Sequence, residues 1–206
     1  MFRSMIRSNV ARVGLLVAAA GLSGCSAGYT TENASPVLFT IALVNGGSPL
    51  PSDVLTGGTV VADFVDVSIG VRFKNPNINT VPSIPNAVRV ERYEVRYRRS
   101  DGRGVEGQDV PYTISGNVTS IFDVQTGGVD VLSVEVVRAQ AKLEPPLRNL
   151  RGATSGTLGG ALIVTMFADI TVFGRTISGI PVQSTGSLQI DFADYGSTGS
   201  SGPGTE

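Results

Sequence analysis

The amino-acid sequence predicts an all-β fold, an antiparallel immunoglobulin-like β-sandwich of about seven strands. Apolar and polar residues alternate with period two over much of the chain after residue 35, as they do in strands with one buried face. Turn-forming residues separate the alternating runs, and no convincing amphipathic helical period follows Cys25. The paired cysteines and the tryptophan of antibody domains are absent, so the likeness is one of architecture only.

The clearest strand is Val65–Lys74, where valine, isoleucine and phenylalanine occupy the odd positions. The next segment, Val88–Arg98, changes parity near Glu91 and Arg92, which predicts a β-bulge or bend there. The other predicted strands are Val37–Val44, Thr119–Val124, Val129–Leu143, Leu158–Phe173 and Gly186–Phe192.

Composition limits the possible functions. The chain has 206 residues, 41% of them hydrophobic, which is enough for one domain or two small ones with a real core. Its net charge of −1 lacks the broad positive field that nucleic-acid binding needs, so no nucleic-acid partner is expected. Histidine, the usual general base and the commonest metal ligand, is absent. With a single cysteine, neither an internal disulfide nor a thiolate zinc site can form.

Residues 1–24 have the anatomy of a signal peptide. A basic start with Arg3, Arg7 and Arg12 precedes the apolar run Val13–Gly21. This run is shorter than the roughly 20 residues that cross a bilayer as a helix, so removal is expected rather than a permanent membrane span. Removal of the segment leaves 13 basic against 17 acidic side chains, a net charge of −4.

The string Leu22-Ser23-Gly24-Cys25 resembles the lipobox of bacterial lipoproteins. The resemblance implies cleavage before Cys25, a diacylglycerol on its sulfur and usually an acyl chain on its amine. Two or three chains, at about 0.8 kcal/mol per buried methylene, hold a protein on a membrane durably. Ser26 stands where aspartate would favour the inner membrane, so the resemblance implies the outer membrane. The alternative is an ordinary secretory signal with a cysteine there by chance.

The predicted organisation is a leader at 1–24, a lipidated tether at 25–35, a β-sandwich at 36–194 and a disordered Gly/Ser tail at 195–206. Within the domain, Val67–Asn77 followed by Tyr93–Tyr97 resembles the water-stress domain of the late-embryogenesis-abundant-14 type. That domain is itself a β-sandwich, so the resemblance supports the fold more than a function.

Two groups of acidic residues are candidate sites. Asp63 and Asp66 are three residues apart, which places them on opposite faces of a regular strand, so no acid–base pair is expected. The loop Asp101–Asp109 has three carboxylates that could surround calcium, but it lacks the spacing of the EF-hand loop. A solvated hairpin connection is the favoured interpretation, and no metal site is predicted.

Arg92, Arg96 and Arg98 share the polar face of one predicted strand. They could bind phosphates or acidic polysaccharide. Because Glu91 and Glu94 lie beside them, local pairing on a solvated, edge-protecting face is favoured.

No catalytic residue is predicted. A serine nucleophile needs a base, and neither lysine, Lys74 or Lys142, is preceded by serine in a Ser-x-x-Lys arrangement. The glycine-rich stretch Gly152–Gly160 lacks the Lys-Ser/Thr ending of a phosphate loop, so no cofactor is predicted either.

These observations predict a lipid-anchored, non-enzymatic protein of the cell envelope that binds another envelope component or helps to build an assembly. A ligand or glycan receptor, with its site in loops at one end of the sandwich near Asn75–Pro85 and Asp101–Pro111, is the alternative. An enzyme with an unfamiliar carboxylate site ranks third.

Overall fold

The computed structural model describes residues 35–75, 77, 84–124, 128–155 and 160–196. The predicted lipidation site Cys25, the leader and most of the predicted tail lie outside these residues. Within them, no helix is long and apolar enough to cross a membrane.

The described residues form ten strands and one short α-helix. In chain order they are β1 (Val37–Val44), β2 (Leu50–Asp53), β3 (Asp63–Phe73), β4 (Val88–Arg99), β5 (Ile114–Phe122), β6 (Asp130–Val137), α1 (Ala139–Leu143), β7 (Thr154–Ser155), β8 (Gly160–Ala161), β9 (Val164–Thr176) and β10 (Pro181–Ala193).

Eight of the strands form two sheets, which confirms the predicted β-sandwich. The smaller sheet has the order β1-β3-β6, and the larger has the order β2-β10-β9-β4-β5. Strands β7 and β8 pair separately. Neighbours in the two sheets run antiparallel, apart from β2, which runs parallel to β10. The short strand β2 is thus the exception to the antiparallel pairing of these two sheets.

The chain crosses repeatedly between the sheets. It changes sheet from β1 to β2, from β2 to β3, from β3 to β4, from β5 to β6 and from β6 to β9, whereas β4–β5 and β9–β10 are neighbouring pairs within the larger sheet. Repeated crossing of this kind is typical of β-sandwiches.

A single hydrophobic core lies between the two sheets. Alternation buries Val65, Val67, Ile69 and Val71 of β3, and the large sheet contributes residues such as Ile170. Each side chain of this size that leaves water contributes about 1.5–3 kcal/mol before the entropic cost of ordering the chain. Among the described residues, hydrogen bonds join β1 to β10 and β2 to β3 across the two sheets, and a further bond joins β4 to β6.

That bond runs from Tyr97 Oη of β4 to the Val136 carbonyl of β6, at 2.6 Å. Burial raises the pKa of Tyr97 above its ordinary value, so the phenol keeps its proton and remains a donor. The bond also fixes which strand ends lie together. The far end of the sandwich contains the end of β4, the end of β6 and the start of β3, because Asp63 pairs with Val137.

The entry end is the opposite one, where the described chain begins at Ser35. There β1 starts at Val37, which pairs with Phe73 at the end of β3. In the larger sheet, β4 starts at the same end, with Val88 paired to Phe122.

The predicted bulge in β4 is confirmed. Register shifts between Val90 and Arg92 in the pairings with both β5 and β9. The bulged backbone comes close to Gly174 of β9, where a Cβ would lie 2.7 Å from the Arg89 carbonyl oxygen. Since real Cβ atoms essentially never come this close to backbone, only glycine fits here.

The predicted strand Val129–Leu143 is wrong at its C-terminal part. β6 ends at Val137, and Ala139–Leu143 is the helix α1. Its sequence Ala-Gln-Ala-Lys-Leu alternates apolar and polar residues, but alanine, glutamine, lysine and leucine all favour helix. The sequence also missed β2, a four-residue strand that contains Pro51.

Candidate functional site

The far end of the sandwich holds a buried polar cluster of Ser52, Asp63 and Lys142. Lys142 Nζ lies 2.9 Å from Asp63 Oδ2 and donates to the Asp53 carbonyl at 2.8 Å. Ser52 Oγ donates to Asp63 Oδ2 at 2.5 Å. We call these three residues the far-end clasp, because they join β2, β3 and α1.

Neighbouring bonds hold the helix in place. The Arg151 guanidinium donates to the Lys142 carbonyl at 2.9 Å, and the backbone N–H of Gly152 donates to Asp194 Oδ2 at 2.8 Å. Leu147 and Leu150, in the following 3-10 turn, are buried. The segment after β6 therefore closes the far end of the core.

The geometry of the clasp is that of an ion pair with a supporting hydroxyl. Ser/Lys catalysis requires the lysine to take the serine proton, whereas Ser52 directs its proton to the carboxylate of Asp63. Ser52 is 0% exposed and Lys142 is 1% exposed, so a substrate has no route to either. The cluster therefore acts by holding the three elements together.

Sequence reasoning found only part of the clasp. Asp63 and Asp66 do lie on opposite faces, as predicted: Asp63 contacts Lys142, and Asp66 is exposed. Lys142 was dismissed because no serine stands three residues before it. The signal that could have found it is a lone lysine within the apolar residues of Ala139–Leu143, where a charge needs a partner if the segment is buried.

The carboxylates of Asp101–Asp109 accept hydrogen bonds from separate donors. Asp101 accepts from Arg103 and Arg99, Glu106 accepts from Thr113, and Asp109 accepts from the Val105 N–H. The hydrogen bond from Arg103 is the main cause that lowers the pKa of Asp101 to about 2. No group of three acids in the part of the chain that the structure describes converges on a common ion position.

We therefore predict that removal of divalent ions leaves the melting temperature unchanged. A bound ion would stabilise the native state by about 2.7 kcal/mol at roughly a hundred times its dissociation constant, which is a shift of several degrees. The measurement is a pair of melting curves, one with chelator and one with millimolar calcium. A calcium-dependent rise that disappears in Asp101→Asn would contradict the prediction.

A second candidate is the arginine face, the outward side chains Arg89, Arg92, Arg96, Arg98 and Arg175 of β4 and β9. Glu91 pairs with Arg89 and Arg175, Glu94 with Arg92 and Arg96, and Asp169 with Arg98. The guanidinium carbon of Arg92 lies 3.5 Å from the centroid of the Phe173 ring, and that of Arg98 lies 4.6 Å from the Phe167 centroid. Every arginine of this face thus has a partner within the protein.

The local pairing predicted for these arginines is present, but the edge-protecting role is wrong. Strand β4 is hydrogen-bonded to β5 on one side and to β9 on the other, so it is interior to its sheet. Alternation shows which face of a strand is polar, and it does not show whether the strand has one neighbour or two.

The loops proposed for a receptor site leave their strands at opposite ends of the sandwich, and residues 76 and 78–83 of the first loop lie outside the described residues. The 74–87 connection leaves β3 at the entry end, whereas the Asp101–Pro111 connection leaves β4 at the far end. A single site in both loops is therefore wrong. A groove of about 320 Å³ lies between the end of β1 and the middle of β10, and no charged side chain lines it.

Comparison of the chain with protein-family profiles, with curated proteins and with solved structures found no match. The resemblances to lipoproteins and to the late-embryogenesis-abundant-14 type remain predictions.

Proposed function

We propose that this protein is a bacterial lipoprotein, held on the envelope by lipid on Cys25, whose β-sandwich binds another envelope component without catalysis. The observation that carries the proposal is the lipobox-like string Leu22-Ser23-Gly24-Cys25, ten residues before the described domain begins at Ser35. The outer membrane is the proposed location, from Ser26.

The fold indicates which end of the domain lies farther from the proposed anchor. The tether joins the domain at the entry end, and it can span at most about 35 Å when fully extended. The far end is then the end farther from the proposed anchor along the strands, since strands such as β9 extend about 40 Å from one end to the other. A partner approaching from outside the membrane meets the connection Asp101–Pro111 and the surface around α1 first.

We predict that Cys25→Ala abolishes the incorporation of radiolabelled palmitate and leaves the precursor uncleaved or released. Thiol and amine acylation both require this residue as the new N-terminus. Ser26→Ala is the matched control, and it should be labelled like the wild type. Palmitate labelling and normal processing of Cys25→Ala would contradict the proposed anchor.

A photo-crosslinker tests the binding role. Placed at Val105 of the far end, which is 57% exposed, it should capture an envelope component in intact cells. The same group at Ile177 of the entry end, which is 43% exposed, is the control. Equal capture at both positions, or capture at neither, would contradict a partner at the far end, and binding to a glycan array would favour the receptor alternative.

A further inference from the structure

The outer face of the small sheet exposes several apolar side chains. Leu38 and Leu43 of β1 are 46% and 52% exposed, Val131 of β6 is 60% exposed, and Val129 just before it is 49% exposed. Between them lies Gly70 of β3, which has no side chain. We call this surface, the outward residues of β1, β3 and β6 together with Val129, the small-sheet face. An exposed apolar surface of this kind marks an interaction site.

Two opposite charges lie on the same face. Asp66 and Arg72 both point outward from β3, and neither side chain has an ion pair or hydrogen bond among the described residues. This contrasts with the arginine face, where each charge is paired. Charges left unpaired on an apolar surface are suited to pairing across an interface.

We propose that a second copy of this chain packs on the small-sheet face about a twofold axis, with the two β3 strands antiparallel. With the axis at the level of Ile69, which is midway between the two charges, Asp66 of each copy faces Arg72 of the other. Ser68 of each copy faces Gly70 of the other, which is flanked by Thr40 and Val129 of its own chain.

The neighbouring strand fits the same axis. Val131 pairs with Ser68 across the sheet, and Val129 lies 3.7 Å from where a Gly70 Cβ would be. Each valine therefore sits at the level of one of the two small residues of β3. Because the twofold rotation places Ser68 of one copy opposite Gly70 of the other, Val131 of one copy lies opposite Val129 of the other. Three pairs of positions thus become complementary through one symmetry operation.

The charge pattern favours a second copy over a membrane. The two charges are six residues apart on β3, about 20 Å, and have opposite signs. This charge pattern is complementary to a second copy of itself only when the two β3 strands run antiparallel. An anionic lipid surface would attract Arg72 and repel Asp66. The inference does not depend on the lipid anchor.

The test uses two differently tagged full-length chains, co-expressed and solubilised in mild detergent, with capture of one tag and measurement of the other. Asp66→Arg and Arg72→Asp should each reduce co-capture by roughly tenfold or more, since symmetry makes each reversed charge act twice. The double reversal should restore it, and so should co-expression of the two single variants. Asp123→Arg and Arg148→Asp, which alter exposed charges elsewhere, are the matched controls.

Several results would overturn the proposal. Wild-type chains that do not co-capture, or reversals that leave co-capture unchanged, exclude this interface. Failure of both the double variant and the mixed single variants to recover has the same meaning. Flotation of the Cys25→Ala chain with anionic vesicles, lost in Arg72→Asp but kept in Asp66→Arg, would assign the face to a lipid surface instead.

Discussion

Lys142→Met is expected to lower the free energy of unfolding by about 3 kcal/mol. Methionine keeps the length of the side chain but removes the charge, so Asp63, whose side chain is only 19% exposed, loses its counter-ion. The Asp53 carbonyl also loses the donor that lies 2.8 Å from it. For a domain of this size the melting temperature should fall by about 10 °C, which a thermal melt followed by circular dichroism measures.

Lys74→Met is the control, since it makes the same substitution at the other, exposed lysine. We expect it to change stability by less than about 0.5 kcal/mol. A loss in Lys142→Met no larger than that of the control would mean that the clasp does not hold the far end together. Recovery in a double variant with Asp63→Leu would show that the damage came from the unpaired carboxylate.

Gly174→Val is expected to destabilise the domain by about 3 kcal/mol, or to prevent folding. The new Cβ would lie 2.7 Å from the Arg89 carbonyl oxygen and 3.1 Å from a methyl group of Val88. The carbonyl belongs to backbone paired with two strands, so it cannot move without breaking their register. This effect outweighs the gain of about 1 kcal/mol or less that valine brings to a strand.

Gly104→Val is the matched control, because nothing lies within 4 Å of the Cβ that it adds. Denaturant unfolding of both variants measures the difference in free energy directly. If Gly174→Val unfolds at the same midpoint as Gly104→Val, the bulge of β4 does not press on β9 in the way described.

Features of single strands could be predicted from the sequence. The bounds of β1 match Val37–Val44, and the parity change at Glu91 located the bulge of β4. Both depend on which face of one strand meets the core, and the alternation of apolar and polar residues within that strand determines this face. The opposite faces of Asp63 and Asp66 follow from the same period.

Features that join distant segments could not be predicted. Lys142 and Asp63 are 79 residues apart, and no local pattern reports that they meet. The helix α1 was missed because five residues are too few to separate period two from a helical period. The exposed position of Val131 was hidden in the same way, since it stands next to the buried Leu132.

The parallel pairing of β2 with β10 determines when the domain can close. The backbone N–H of Ile41 bonds to Ser184, 143 residues away, and the N–H of Tyr195 bonds to Asp53, 142 residues away. Contacts over such separations form late and slow folding, because the intervening chain must first be confined. While the chain is being synthesised, β2 has no partner until residues 181–193 of β10 have emerged. Strands β1 and β3 can pair before then, so the larger sheet is completed later than the smaller one.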